Sequence, residues 1–276
     1  MSDIEQYVSE DENFGLEDFD PTTDATVPRI KIIHNEGVFK DSQSGEKIPV
    51  LRAVLLGLVK SRVLWEPSSD LDDAKPLCKS FDAKIGHPDI TQDFPWDVSG
   101  YDEDAAATDD AGRLLLPCDS CGLKEWGTDP KGKKAPWCTE QHNFPLMYDA
   151  GGDVWVPAIL TVQKTGISNS KNYCASFHRA KQPLFTAVTT LTLTQERKGT
   201  VDFCTPIFEK GEPTDPEEWE GWKHNFLSIA SYLRTPPTPR TEETAVAKPA
   251  KKAAKAAPAR QRAPQPEPVD DEEPPF

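Results

Sequence analysis

Four cysteines carry the most specific chemistry in this chain. Cys78, Cys118, Cys121 and Cys138 stand in the pattern C-x39-C-x2-C-x16-C. Cys118-Asp119-Ser120-Cys121 is a knuckle followed directly by Gly122. Such a knuckle presents two soft thiolates to one tetrahedral ion, and a small residue relaxes its turn. Residues 117–150 are poor in aliphatic side chains and rich in Gly, Pro and Lys, so a metal would supply the order that a core cannot. The expectation is a structural Zn2+ held by Cys78, Cys118, Cys121 and Cys138. Cys78 is distant in sequence, and His142 and His87 are alternatives to it as the fourth ligand. Disulfides are the competing reading of the same thiols, as is a thioredoxin-like redox pair, for which no βαβ pattern surrounds the knuckle. Cys174 and Cys204 sit in an expected helix and strand, where a buried free thiol is the usual role.

A second set combines cations with aromatic rings. Lys31, Phe39, Lys40, Arg52, Lys60, Arg62 and Trp65 fall on the first expected strands. Trp155, Tyr173, Phe177, Arg179, Lys181 and Phe185 follow the cysteine segment. A positive groove with stacking platforms is what a sequence-tolerant single-strand binder needs. Each ring alone reads better as core and each cation alone as solvated surface, so the expectation rests on the set. Trp126, Lys131, Lys133, Lys134 and Trp137 form a further basic-aromatic patch inside the cysteine segment.

Catalytic constellations are sparse. No G-x-x-x-x-G-K-[ST], G-x-S-x-G or H-E-x-x-H occurs, nor an H-x-E with a downstream P-C-x-x-C. Asp153 with Glu196-Arg197-Lys198 matches a Mg2+-dependent nuclease pattern, but charged residues in a hairpin turn explain that triplet more simply. The chain reads as a non-enzyme.

These groups need strands to position them. RIKII, the HNEGVF turn, the DSQSGEK turn and then 48–66, interrupted at Gly57, predict strands over 29–66, with a helix over 50–60 as the alternative. Residues 67–113, rich in Asp, Pro and Gly, predict a long excursion with little regular structure. Strand character returns at 154–163, and 168–182 predicts a short helix capped by Ser168 or Asn169. Residues 184–208 predict a hairpin turning at Arg197-Lys198-Gly199. Residues 214–234 predict a helix with Asp215 as cap, Pro216 in its first turn, and Trp219, Trp222, Phe226, Ile229 and Leu233 on one face. The expected class is therefore mainly β (α+β): an OB-fold-like small barrel with a zinc-ribbon-like insert, a C-terminal helix and disordered ends.

Charge divides the chain the same way. The 276 residues carry a net charge of -15, but 1–28 hold nine acids and no bases, and 240–262 hold seven bases and two acids. All seven Trp lie between Trp65 and Trp222, whereas 235–276 hold ten Pro, nine Ala and one aromatic. The expected organisation is a disordered acidic arm over 1–27, a core over 28–234 with its metal-bearing insert at about 67–150, and a disordered Pro/Ala/Lys linker with an acidic tip over 235–276. No run of about 18 apolar residues exists, so no membrane span is expected. MSDIEQYVSEDENF has neither a basic nor an apolar stretch, so no secretory leader is expected there.

The tip is Asp270-Asp271-Glu272-Glu273-Pro274-Pro275-Phe276. It resembles the acidic tips of bacterial single-stranded-DNA-binding proteins and of several bacteriophage counterparts, which close on Pro-Phe or another aromatic. The match lies in the acids, Pro275 and Phe276, and departs at Pro274 and the two Glu. The folded domain, Pro/Ala-rich linker and acidic tip also follow that family's layout. The resemblance implies an OB-fold that coats single-stranded DNA in phage replication, recombination and repair within the bacterial cytoplasm. It also implies a tip (Asp270, Asp271, Glu272, Glu273, Pro275, Phe276) that recruits partner proteins, and in some phage members a structural zinc. The alternative from the residues is a zinc-ribbon adaptor that binds only protein, in transcription. It explains the cysteines and acids but not the seven Trp.

Overall fold

Short β-branched runs separated by Gly-bearing turns make strands, and the chain is built mainly of them. A computed structural model describes residues 27–67, 75–103, 106–132, 134–152, 154–198 and 201–236. All of these fall within one unit, Met1–Thr238; the expected acidic arm, most of the linker and the tip lie outside the described residues. The order is β1 (Arg29–Ile33), β2 (Val38–Asp41), β3 (Lys47–Ile48), β4 (Leu51–Leu55), β5 (Val59–Trp65), β6 (Pro76–Ser80) and β7 (Ile85–Pro88). Then come α1 (Trp96–Ser99), β8 (Ala107–Thr108), β9 (Leu114–Pro117), β10 (Thr139–Asp149) and β11 (Trp155–Gln163). The chain continues through α2 (Gly166–Ala180), β12 (Ala187–Lys198), β13 (Val201–Pro213) and α3 (Trp219–Arg234).

Among the described residues these strands form one mixed sheet of 13, running β3-β2-β1-β11-β10-β5-β6-β7-β9-β8. β1 and β11 are parallel, and the other pairs are antiparallel. β10 takes β11 along one edge. Along the other, its first half pairs with β5 and its second with β4. β12 adds to the free edge of β4 and turns back as β13. The break between β4 and β5 is at Gly57, as the sequence predicts. A Cβ there would lie 2.3 Å from the Phe226 ring of α3, so only glycine lets the helix close on the kink.

Two apolar layers sandwich this sheet. On its inner face Phe39, Leu51, Leu55, Phe144, Leu146, Leu160 and Leu191 pack around Tyr173 and Phe177 of α2. On its outer face Val54, Val59 and Ile159 meet Trp222, Ile229 and Leu233 of α3. Asp215 accepts a hydrogen bond from the Glu217 N–H and caps the 3-10 turn Pro216–Glu218 that leads into α3; α3 itself follows Glu218 with no side-chain cap. α2 begins at Gly166, with no side-chain cap from Ser168 or Asn169. No described helix is long and apolar enough to cross a membrane.

Two expectations need correction. Residues 67–113 are not without regular structure, because they hold β6, β7, the short helix α1 and β8, the strands extending the sheet beyond β5. The cysteine segment also ends sooner than 150: Thr139–Asp149 is a central strand of the main sheet, paired along both edges. Its polar first half, Thr139 to Asn143, hides the strand in the sequence, since those polar groups find their partners only once neighbouring strands and α2 are in place.

His142 shows how. It is fully buried, with Nδ1 2.7 Å from Ser170 Oγ on α2 and Nε2 3.0 Å from Glu140 Oε1. Burial pushes its pKa below 6.5, against the pull of Glu140. His34 and His87 shift the same way, burial first. Below about pH 6.5 the unfolded chain therefore binds protons that the folded chain resists, and stability falls as pH drops. The urea midpoint should decrease from pH 7.5 to 5.5, with a shallower decrease in His142→Leu; an equal slope in the variant refutes the assignment. Phe39→Ala should lose about 3–5 kcal/mol of unfolding free energy, as a core ring does and a stacking platform does not.

Candidate metal centre and nucleic-acid interface

The residues of the cysteine segment fold onto the far side of β5. Leu64, Leu77, Phe94, Leu116 and Leu123 make a small third core there. Beside it, Cys78, Cys118, Cys121 and Cys138 all line one cavity of about 20 Å³, the room of a single water-sized body. They come from β6, from the turn after β9 and from the segment before β10, so only tertiary structure unites them. Gly86 of β7 makes the approach possible. A Cβ there would stand 2.9 Å from Cys78 Sγ and 3.6 Å from Cys118 Sγ. Neither His142 nor His87 lines the cavity. His142 is spent on Ser170 and Glu140, and His87 lies on the opposite face of β7 from Gly86. Of the three candidates for the fourth position, Cys78 alone is at the cluster.

Each sulfur has a donor within reach. The His87 N–H faces Cys78, the Leu123 N–H faces Cys121, and the Arg62 guanidinium faces Cys138. The Ser80 hydroxyl stands between Cys118 and Asp82 Oδ1. Burial nevertheless raises all four thiols, and the neighbouring sulfurs add to it at Cys78. Cys138 is pushed up to about 11, mainly by burial, with Arg62 opposing. Four thiols, buried at Cys118 and half-buried at the others, with a donor near each sulfur and one guanidinium, would suit a cation that ionised them. As placed, no three His, Cys, Asp or Glu among the described residues already stand in metal-holding geometry.

Arg62 is thereby moved from the expected nucleic-acid surface to the cysteine cavity, which it lines. Other members of that set also change role. Phe39, Tyr173 and Phe177 are buried in the inner core and offer no face for stacking. Trp155 packs against the α3 layer under the Arg52 guanidinium, 5.8 Å from its centroid. Arg52 is ion-paired with Asp149 at 2.8 Å and also with Glu212. Lys60 is exposed but lies opposite His142, on the α2 side of the sheet. Arg179 and Lys181 are exposed at the end of α2, where Lys181 (φ 54°) closes the helix by donating to the His178 carbonyl. Lys31 is exposed on β1, and Trp65 is 42% exposed. In the further patch, Trp126 is 79% exposed, while Trp137 donates through Nε1 to the Trp65 carbonyl at 2.9 Å.

Lys31 and Trp65 share the outer sheet face with residues the sequence did not single out. Strand alternation and register put Arg29 and Lys31 of β1, Thr161 and Gln163 of β11, Gln141 and Asn143 of β10, Ser61 of β5 and Lys79 of β6 on that face. Its floor is a neutral ladder. Asn143 Nδ2 donates to Ser61 Oγ (2.8 Å), Ser61 donates to Gln141 (3.2 Å) and Thr161 donates to Asn143 Oδ1 (2.9 Å). Lys79 lays its ammonium over the Phe81 ring, 4.5 Å from the centroid. Among the described residues neither Arg29, Lys31 nor Lys79 has an ion pair with a carboxylate. Polar alternation along 139–143 is the sequence signal for this face, and it is hidden because a polar run does not look like a strand. For the nuclease pattern, Asp153 lies outside the described residues and Glu196 is an exposed residue near the end of β12.

Gly86→Ala should destabilise the chain by about 1–3 kcal/mol and speed thiol modification at Cys78 and Cys118, read by mass spectrometry. Unchanged reactivity would show that the sulfurs do not depend on that close approach.

Compared with known proteins, the chain matches no family model, no curated protein and no solved structure.

Proposed function

We propose that this protein binds single-stranded DNA without sequence preference, in replication, recombination or repair, as the bacteriophage proteins whose tip it resembles do. The observation that carries the reading is the outer face of β1, β11, β10, β5 and β6. There Arg29, Lys31 and Lys79 surround a neutral polar floor with Trp65 at its rim and, among the described residues, no carboxylate paired to the cations. Cations for phosphates beside an exposed ring for bases are the requirements of sequence-tolerant single-strand binding.

The order of elements supports an OB-like barrel as the scaffold. A strand kinked at Gly57, then β10 and β11, a helix, and the β12–β13 hairpin returning to the first strand follow that plan. The cysteine segment would then be an insert between the first two barrel strands. Its four thiols would hold a structural Zn2+, with Arg62 offsetting part of the negative charge of four thiolates. The bound ion would supply cross-linking, not reaction chemistry. The tip, Asp270 to Glu273 with Pro275 and Phe276, would recruit partner proteins through an apolar pocket flanked by Lys or Arg. The reading is of a non-enzyme working in the cytoplasm of a bacterial host.

Tryptophan fluorescence titrated with a dT oligonucleotide and a matched duplex, at low and high salt, tests the proposal. Strong quenching by the single strand, relieved by salt, is expected, with a loss of about 1–3 kcal/mol of affinity in Trp65→Ala. Equal affinity for duplex, or silence at low salt, overturns it and favours the protein-only adaptor. Metal analysis should find one zinc per chain, and its removal should lower the thermal midpoint; a metal-free native protein would refute the zinc site.

A further inference from the structure

Among the described residues Trp126 is the most exposed large apolar side chain. It sits on the turn between Cys121 and Cys138. A Cβ on the next residue, Gly127 (φ 89°), would meet nothing within 4 Å, so the turn projects from the surface. One exposed ring is ordinary, but this one is held in place. Thr128 Oγ1 donates to the Glu125 carbonyl at 2.9 Å and accepts from the Trp137 N–H at 3.0 Å. The Cys138 N–H donates to the Leu123 carbonyl at 2.9 Å and closes the base of the loop. Trp137 in turn donates through Nε1 to the Trp65 carbonyl at 2.9 Å. The loop is thus tied to the end of β5 before any ligand arrives, and its ring is presented at little ordering cost.

Register shows where the loop leads. β10 and β5 set Gln141 opposite Ser61 and Thr139 opposite Val63. Two residues further on, the same register brings Trp137 opposite Trp65, in agreement with the indole hydrogen bond. The outer-face row of Asn143, Gln141 and Thr139 therefore runs on through Trp137 to the Trp126 turn. Between the cysteines, 122–137 hold four Lys against one Glu and one Asp, and Lys131 and Lys134 are exposed there. We infer that the Trp126 turn is a base-stacking arm, which takes the nucleobases of a single strand that leaves the sheet past Trp65, with Lys131 and Lys134 beside it for phosphates. The inference rests on the single-strand reading and carries its site from the sheet onto the cysteine segment. A protein interface is the other use of an exposed indole, but lysine is depleted in such interfaces. A ring flanked by lysines is the pairing that single-strand binders use.

Because the ring is in solvent, Trp126→Ala should leave the thermal midpoint of the full chain unchanged. Its affinity for a dT oligonucleotide should fall by about 5- to 100-fold, and Trp126→Phe, which keeps a ring, should retain most of the binding. Leu227→Ala removes another exposed apolar side chain, on α3, and should bind like the parent. An oligonucleotide with one thymine replaced by 5-iodouracil should cross-link to Trp126 under near-ultraviolet light, read by mass spectrometry. Binding that survives Trp126→Ala unchanged, with no cross-link at Trp126, overturns the arm and leaves the single-strand reading intact. A parent chain that binds no oligonucleotide at low salt overturns both and leaves the exposed indole to a protein partner.

Discussion

The pairing of β10 with three strands fixes most of what surrounds it. Eleven residues from Thr139 to Asp149 take β11 on one edge and both β5 and β4 on the other. A slip of one residue would turn Phe144, Leu146 and Tyr148 out of the core and His142 into solvent. Polar contacts guard that register as much as apolar ones do. Asn143 bonds to β5 and β11 at once, and His142 ties the strand to Ser170 of α2. Breaking a buried polar set of this kind leaves unsatisfied groups worth about 1–3 kcal/mol each.

The same register divides the labour between the two faces. Inward, β10 supplies aromatic and aliphatic bulk to a core filled by α2. Outward, its second half meets α3 while its first half stays polar beyond the reach of that helix. The candidate nucleic-acid face is thus the part of the outer sheet that α3 leaves uncovered. Gly57 helps set that limit, because the Phe226 ring seats α3 against the kink between β4 and β5.

Beyond β5 the sheet continues through β6, β7 and β9 into a region with few aliphatic side chains. Five buried residues form its apolar cluster. The four thiols stand beside that cluster, drawn together by a glycine that permits close approach and by donors from β5, β6 and two backbone segments. Arg62 links the two candidate sites. It leaves β5 toward the sulfurs, while Ser61 and Trp65 on the same strand belong to the other face.

The sequence by itself determined the mainly β class, the kink at Gly57, the β12–β13 hairpin, and the α3 helix with its cap and apolar stripe. These depend on periodicity and on backbone preferences that act over a few residues. It also singled out the four cysteines as a set, because thiolate spacing at a knuckle is local chemistry. Tertiary structure alone decided that Cys78, and neither histidine, shares a cavity with Cys118, Cys121 and Cys138, since contact across 39 intervening residues has no local signature. It decided that Phe39, Tyr173 and Phe177 are core, and that Arg52 is neutralised by Asp149 and Glu212, because burial and ion pairing depend on strands distant in the chain. It also brought Arg29 and Lys79 to one face. Each is an unremarkable cation in the sequence, and they share that face only through the register of the strands that lie between them.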